Sequence, residues 1–483
     1  MSTSLATGLC VLAILGLFYL NRDKSVPTSK ALWIPVIWFW ISYTRPVTSW
    51  LNGGLVPEST TASKFNTMME GSPTDRLVFQ ILIAIALIIV ASRGRRAGDL
   101  LKANWPVTLY YSYCLLSVVW SDFPDVAAKR WVKSLADIAM MLIVVSDDQP
   151  ATAMRRLFSR VAFVFIPGSL LFIKYYPQLG RAYDSWTGEP FNTGLTTNKN
   201  MLGVITFILT LGIWWQFLRL WRDKGIPDRK RQLVAEGIAL GAGLWLLSEA
   251  HSATSGTCFA IGAALVLVTG LGRFKGRPSA VQRLVLTFAV VGSLIKLTGA
   301  DAIVVQWIGR KPDLTGRPEI WAVVVPMAPN RLIGAGFESF WLGPRLLYIW
   351  SIFTHMLINE AHNGYIEVYL NLGLVGVALI VLILIDSYRR AIVAFRIDPD
   401  SAGLMLAFVL TSVIYSYTEA GFRMLDATWT FLLWVSFAAA RASQLAARKA
   451  GVQTLPPSKR TRVAEVTSSS DSGLGEPYIG RSS

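Results

Sequence analysis

Apolar runs near membrane-spanning length recur along this chain, and they constrain its fold more than any other feature. Examples occupy residues 5–20, 77–91, 201–220, 257–271 and 364–385. The hydrocarbon core of a bilayer takes about 17 to 25 apolar helical residues. Inside it every backbone amide must find a partner within the protein, which a helix supplies from its own turns. The runs are too long for barrel strands, which need only about ten residues each. Composition agrees: 53% of the residues are hydrophobic and 16% are charged, where a soluble chain carries about a quarter charged. The expectation is an all-α polytopic membrane protein of about 12 to 13 transmembrane helices. The spans fall near 4–20, 31–46, 76–92, 104–120, 132–146, 157–175, 200–220, 233–248, 256–272, 282–298, 364–386, 402–418 and 425–440. The first lacks a basic flank and a small-residue cleavage site, so it is read as a retained span and not a secretory signal.

Charge assigns the sides. The formal net charge is +16, which in a soluble chain would point to nucleic acid. Here the excess of lysine and arginine in cytoplasmic loops accounts for it, and no nucleic-acid partner is expected. One set of alternate loops is rich in basic residues, among them Arg93, Arg95 and Arg96, then Arg155 and Arg156, then Arg222, Lys224 and Arg229 to Arg231, then Arg389 and Arg390. The interleaved set is poor: Lys129 and Arg130, Arg181 and Lys199, and finally Arg423. The rich set faces the cytoplasm. A helix bundle is therefore expected over 1–440. The long loop 299–363 falls outside, where its apolar and aromatic stretches make it partly helical and either fold it back on the bundle as a cap or lay it in the interface. Residues 441–483 turn polar, with 450–483 rich in Ser, Gly and Pro, and read as a disordered cytoplasmic tail. Cys10, Cys114 and Cys258 lie within spans, without metal-ligand spacing, and read as small core residues.

The unusual polar residues gather on the outer side. Residues 194–203 read GLTTNKNMLG. There Asn198, Lys199 and Asn200 offer a cation between two amides at a helix N-terminus, where free N–H groups favour anions. A snorkelling lysine at an ordinary helix start is the plain alternative. Residues 314–321 read LTGRPEIW. Pro318 restricts Arg317 and suits a helix start. A fixed guanidinium forks onto phosphate oxygens, although a salt bridge to Glu319 would serve structure alone. Arg310 and Lys311 stand just upstream. Residues 360–376 read EAHNGYIEVYLNLGLVG. His362 is one of three histidines, and at an outer mouth it can be neutral and take a proton from a hydroxyl. Glu360 or Glu367 would orient it. Glu367 and Asn371 share a helical face. His251, the WSDFP run at 120–124 and Glu419 are weaker candidates, read first as caps or turns.

The order of these motifs resembles a known superfamily. His362-Asn363, then Gly373 and Gly376, is similar to the signature of the O-antigen ligase and O-antigen polymerase superfamily. Residues 314–321, 197–203, 120–124 and 334–340 resemble its exopolysaccharide-polymerisation branch, with matching order over about 105–435. The resemblance implies a membrane-embedded glycosyltransferase working on a polyprenyl diphosphate-linked glycan donor and a saccharide acceptor at the outer leaflet of the bacterial inner membrane. It implies diphosphate contact by Arg317 and assistance to the acceptor hydroxyl by His362. Asn363 and Glu367 flank that histidine, and Arg310 precedes that arginine. The ligases carry a second basic residue where this chain has Ala253, so Lys199 is the substitute candidate. Neither a cofactor nor a metal is expected. A flippase and a chain-length regulator are the implied protein partners. A ligase that transfers a finished glycan shares donor and motifs with a polymerase. A transporter would place its polar groups near the bilayer midplane, with repeat symmetry that this sequence lacks.

Overall fold

The computed structural model describes residues 2–22, 26–54, 65–66, 69–183, 188–274, 276–298, 316–354 and 357–453. Each expected span coincides with a helix: α1 (Thr3–Leu20), α2 (Trp33–Ser42), α3 (Pro73–Ser92), α4 (Trp105–Leu116), α5 (Pro124–Val145), α6 (Pro150–Tyr175), α7 (Lys199–Arg222), α8 (Arg229–Glu249), α9 (Ala253–Thr269) and α10 (Pro278–Leu297). Two cap helices follow, α11 (Arg317–Val324) and α12 (Gly343–Ile352), and then α13 (Gly364–Ala394), α14 (Pro399–Thr418) and α15 (Ala427–Gln453). Among the described residues the strands are a single short pair, Arg181–Tyr183 with Pro190–Asn192. The protein is an all-α polytopic membrane protein. Six helices, α1, α3, α6, α7, α13 and α14, are by themselves long and apolar enough to cross a bilayer.

Local chemistry sets the helix starts. Proline at the first turn opens α3, α5, α6 and α14, where a missing N–H costs nothing. Asn198 caps α7 by accepting from the Met201 amide at 2.8 Å, and Asn363 caps α13 by accepting from Tyr365 and Ile366. The bundle core is continuous from Leu17 to Ala440, with large aromatic side chains such as Trp38, Phe158, Phe408 and Phe431 fully buried. Exposed leucines and isoleucines on α1, α3 and α8 face outward from it, as a lipid-facing surface requires.

The described part of the long loop folds as a cap with its own core. Ile320 and Val324 of α11 and Leu346, Ile349 and Trp350 of α12 pack with Phe340, Trp341 and Leu370. Residues 299–315, including Arg310, lie outside the described residues. The last helix runs on to Gln453, past residue 440 where a disordered tail was expected to begin. A helix-forming run of alanine, glutamine and arginine carries it there. Residues 454–483 lie outside the described residues.

The cap is tied to α13 at a break in that helix. Gly373 adopts φ 65 and ψ −165, a conformation open to glycine and strained for other residues. The break leaves amides of the next turn unbonded within the helix. Leu374 N–H donates to the Arg331 carbonyl at 2.9 Å and Val375 N–H to the Leu332 carbonyl at 3.1 Å. Ala335 N–H returns a bond to the Leu370 carbonyl at 3.0 Å. A Cβ on Gly373 would lie 2.2 Å from the Leu332 carbonyl carbon. Backbone thus packs directly on backbone, and the spacing from His362-Asn363 to Gly373 and Gly376 acquires a structural meaning. The WSDFP run is a second clasp. Trp120 donates to the Ile333 carbonyl at 3.2 Å, Ser121 meets Ser339 at 2.7 Å, and Asp122 pairs with Arg345 at 2.8 Å.

Candidate functional site

The sequence motifs converge where the cap meets the N-termini of α7 and α13 and the loop between α14 and α15. Arg317 opens α11, directly after Gly316, which holds φ 76. Its guanidinium does not turn to Glu319. It pairs with Glu419 at 2.8 Å, 102 residues later in the chain. Glu419 caps the end of α14 with extended backbone, and its side chain is only 8% exposed. The other oxygen of that carboxylate accepts from Asn200 Nδ2 at 3.3 Å and lies 3.4 Å from His362 Nδ1. Three separate sequence motifs therefore meet on one carboxylate at a helix end.

The chain of charges continues beyond His362. Its Nδ1 lies 3.0 Å from Glu360 Oε1. Glu360 pairs through its other oxygen with Arg423 at 3.4 Å. Arg423 also meets Glu338 at 3.1 Å and approaches Glu367 at 3.8 Å. Positive and negative groups alternate along the whole path, each neutralised by neighbours as a semi-buried charge requires. Three residues here hold left-handed backbone without being glycine: Glu338 with φ 51, His362 with φ 47 and Leu425 with φ 60. Such strain persists where the surroundings fix it, and it concentrates at functional sites.

These neighbours set the protonation of the histidine. Burial works against an imidazolium, but the hydrogen bonds to Glu360 and Glu419 and their charges outweigh it, raising His362 from 6.5 to about 10. Burial likewise works against the Glu360 carboxylate, and the bond to His362 and the charges of His362 and Arg423 overcome it, holding Glu360 down at about 2. Burial disfavours the Arg423 charge too, yet Glu338, Glu367 and Glu360 raise its value further. Sequence reasoning expected a neutral histidine ready to accept a proton. In this arrangement His362 carries a proton already, because two carboxylates stand on one ring nitrogen.

The remaining candidates divide. Asn198 and Asn200 line a cavity of about 190 Å³ together with Glu360, Glu419, Tyr43 and Asp426. Lys199 sits beside them in sequence but reaches over the Phe191 ring, 5.7 Å from its centroid. It is not among the described residues that line the cavity. Asn363 is spent on capping α13 and on the Tyr417 carbonyl, which it meets at 3.0 Å. Glu367 is buried beneath the site. It accepts from Trp341 at 2.7 Å and from the Ala361 amide at 2.9 Å, so it fixes the loop that carries His362. The sequence reading missed the part played by Arg423 and Glu338 and ranked Glu419 low. One signal was present: Glu419 and Arg423 stand four apart in a short outer loop between two spans, and ionisable groups at such places are seldom idle.

Glu360, His362 and Glu419 offer donor atoms within 4.8 Å of one another, a spacing that could hold a divalent ion. Arg317 and Arg423 already neutralise both carboxylates, however, and that favours an anionic ligand able to replace carboxylate oxygens on the cations.

Comparison with known proteins points the same way at a coarser level. No family model matches the chain. Over 369 residues it is 26% identical to the exopolysaccharide production protein ExoQ of Rhizobium meliloti (strain 1021), an alignment spanning 70% of this chain and 79% of that one. That similarity supports a role in exopolysaccharide production.

Proposed function

We propose that this chain is a membrane-embedded glycosyltransferase that joins polyprenyl diphosphate-linked oligosaccharide repeat units into an exopolysaccharide or O-antigen. The reaction would take place at the outer leaflet of the bacterial inner membrane. The observation that carries this reading is the meeting of Arg317 and His362 on Glu419, at the end of the bundle that basic-residue alternation assigns to the outside.

The chemistry follows from those contacts. A diphosphate is a good leaving group once its developing charge is neutralised, and fixed cations in a water-poor site do that well. Arg317 and the His362 imidazolium are paired with carboxylates while no donor is bound. Donor binding replaces those carboxylates with phosphate oxygens, and Arg423 supports the path through Glu360. Glu419 then loses its cationic partners and takes the proton of the acceptor hydroxyl. The acceptor oxygen bonds to the anomeric carbon, the bond from that carbon to the diphosphate oxygen breaks, and the electron pair leaves with the diphosphate. The His362 imidazolium takes the place earlier given to Lys199 as the second cation on the diphosphate.

The test is incubation of the purified protein with a polyprenyl diphosphate-linked oligosaccharide. Stepwise glycan extension with release of polyprenyl diphosphate is the expected result. Transfer of the whole glycan to a lipid acceptor, without extension, would instead make the protein a ligase. No transfer with any acceptor would overturn the reading.

A further inference from the structure

A second polar cavity lies at the opposite end of the bundle. On α7 it involves Gln216 and Arg219, about 24 Å along the helix from Asn200. The cavity measures about 250 Å³ and is lined by residues of α6, α7 and α8 and the end of α1. It sits among the basic-rich loops, at the depth where lipid headgroups meet the cytoplasmic surface.

Two of its walls carry buried polar atoms with no partner. Glu236 is 1% exposed. Its Oε1 accepts from Asn21 Nδ2 at 3.0 Å and from Ser159 Oγ at 3.1 Å. Oε2 has no hydrogen-bond partner. Gln216 is 5% exposed. Its Oε1 accepts from the same Ser159 hydroxyl at 3.2 Å, and its Nε2 has no hydrogen-bond partner. Ser159 Oγ lies within hydrogen-bond distance of both the carboxamide and the carboxyl oxygen, giving its one proton to one of them at a time, and leaves an acceptor on Glu236 and a donor on Gln216. Buried groups of this kind are normally satisfied, so the pair calls for a ligand with complementary groups.

Charge narrows its chemistry. Arg155, Arg156 and Arg219 line the cavity with Glu236. Asp400, on the neighbouring α14, interacts electrostatically with Arg219 and Arg155 and offsets part of their charge. Among the lining side chains three cations face one carboxyl group, a positive excess that suits a phosphate-bearing ligand. The acceptor on Glu236 requires that the ligand also carry a hydroxyl or ammonium donor near its phosphate. We propose that this cavity binds a phosphodiester headgroup bearing such a donor, as in phosphatidylglycerol or phosphatidylethanolamine. Gln216 Nε2 and the arginines would hold the phosphate oxygens, and Glu236 Oε2 would accept from the donor. This assignment does not depend on the reaction proposed for the other end of the molecule.

Phosphatidylcholine has the same phosphodiester but no donor, so it is the discriminating control. The experiment is native mass spectrometry of the full chain, titrated with the three lipids and separately with soluble glycerophosphoethanolamine. Phosphatidylglycerol and phosphatidylethanolamine are expected to bind at least tenfold more tightly than phosphatidylcholine. Glu236→Gln should abolish that preference while leaving phosphatidylcholine retention unchanged, and Gln216→Leu should weaken retention of all three lipids alike. Binding of the soluble diester at similar affinity would assign the same site to a free metabolite. Equal retention of all three lipids by the unmodified protein would overturn the proposal, whatever the variants do. So would a preference that survives Glu236→Gln.

Discussion

Arg423 holds Glu338, Glu360 and Glu367 around one guanidinium. Removing one partner of a buried ion pair strands the others, at a cost of about 3 kcal/mol or more. Arg423→Ala should therefore lower the thermal midpoint of the purified protein as well as its activity, and Arg423→Lys should restore stability better than activity. Arg317→Ala and His362→Ala are expected to reduce chain extension about a hundredfold, the scale of losing one preorganised contact to developing charge. Both proteins should still reach the membrane, and near-normal polymer from either would remove the assigned site. The histidine also leaves a pH signature. Its folded value of about 10 exceeds the ordinary 6.5, so its contribution to stability is complete below about 6.5 and is lost as pH rises through about 10. Glu360 is depressed from 4.5 to about 2, so its contribution is present above about 4.5 and is lost as pH falls through about 2. The two together place a plateau between about pH 4.5 and 6.5 with a decline toward pH 10. Melting curves of His362→Gln should lack the alkaline decline, and an unchanged curve would mean that the ring carries no such proton. Arg317 and His362 could be found in the sequence because each sits in a local motif whose backbone needs are visible, a proline after one and a helix cap after the other. Their shared partner could not, because Glu419 stands 102 residues from Arg317 in the chain and only folding brings the two together.

At the scale of elements, the helices were legible because apolar length is a one-dimensional property. The break in α13 was not, because glycine inside a span is common and only the neighbouring cap makes this one structural. Gly373→Ala would place a Cβ 2.2 Å from the Leu332 carbonyl carbon, on backbone at φ 65. Strain of that kind alone costs about 1 to 3 kcal/mol. The substitution should destabilise the protein by at least that much and expose residues 331–335 to protease, while Gly272→Ala, whose added Cβ meets nothing, should do neither. The aromatic stretches of the loop were expected to form a cap or to lie in the interface, and its described part forms a cap with its own core. The tail was misjudged at its start for a related reason: alanine-rich helix and polar linker have similar hydropathy, and residues 441–453 continue the helix that precedes them.

For the whole molecule, the alternation of basic loops predicts which reagents reach which residues. With the native cysteines replaced, a cysteine at Leu332, which is 60% exposed on the cap, should react with an impermeant maleimide in intact cells. One at Lys224, in the loop after α7, should react only after permeabilisation. The reverse pattern would invert the topology and leave the proposed reaction on the wrong face. Polymer formation by the purified protein should also survive a chelator, because Arg317 and Arg423 occupy the carboxylates that a metal would need; loss on chelation with recovery on adding a divalent ion would reassign Glu360, His362 and Glu419 as its ligands. The contact between residues 331–335 and α13 has a further consequence for biosynthesis. The carbonyls of Arg331 and Leu332 leave the ribosome before the helix whose amides they receive. On the topology that the basic loops predict, the cap must already have crossed the membrane when α13 is inserted, or that helix reaches the lipid with its broken turn unsatisfied. Delayed translocation of the loop should therefore appear as failed insertion of a span that lies downstream of it, in a protein whose hydropathy there is unchanged.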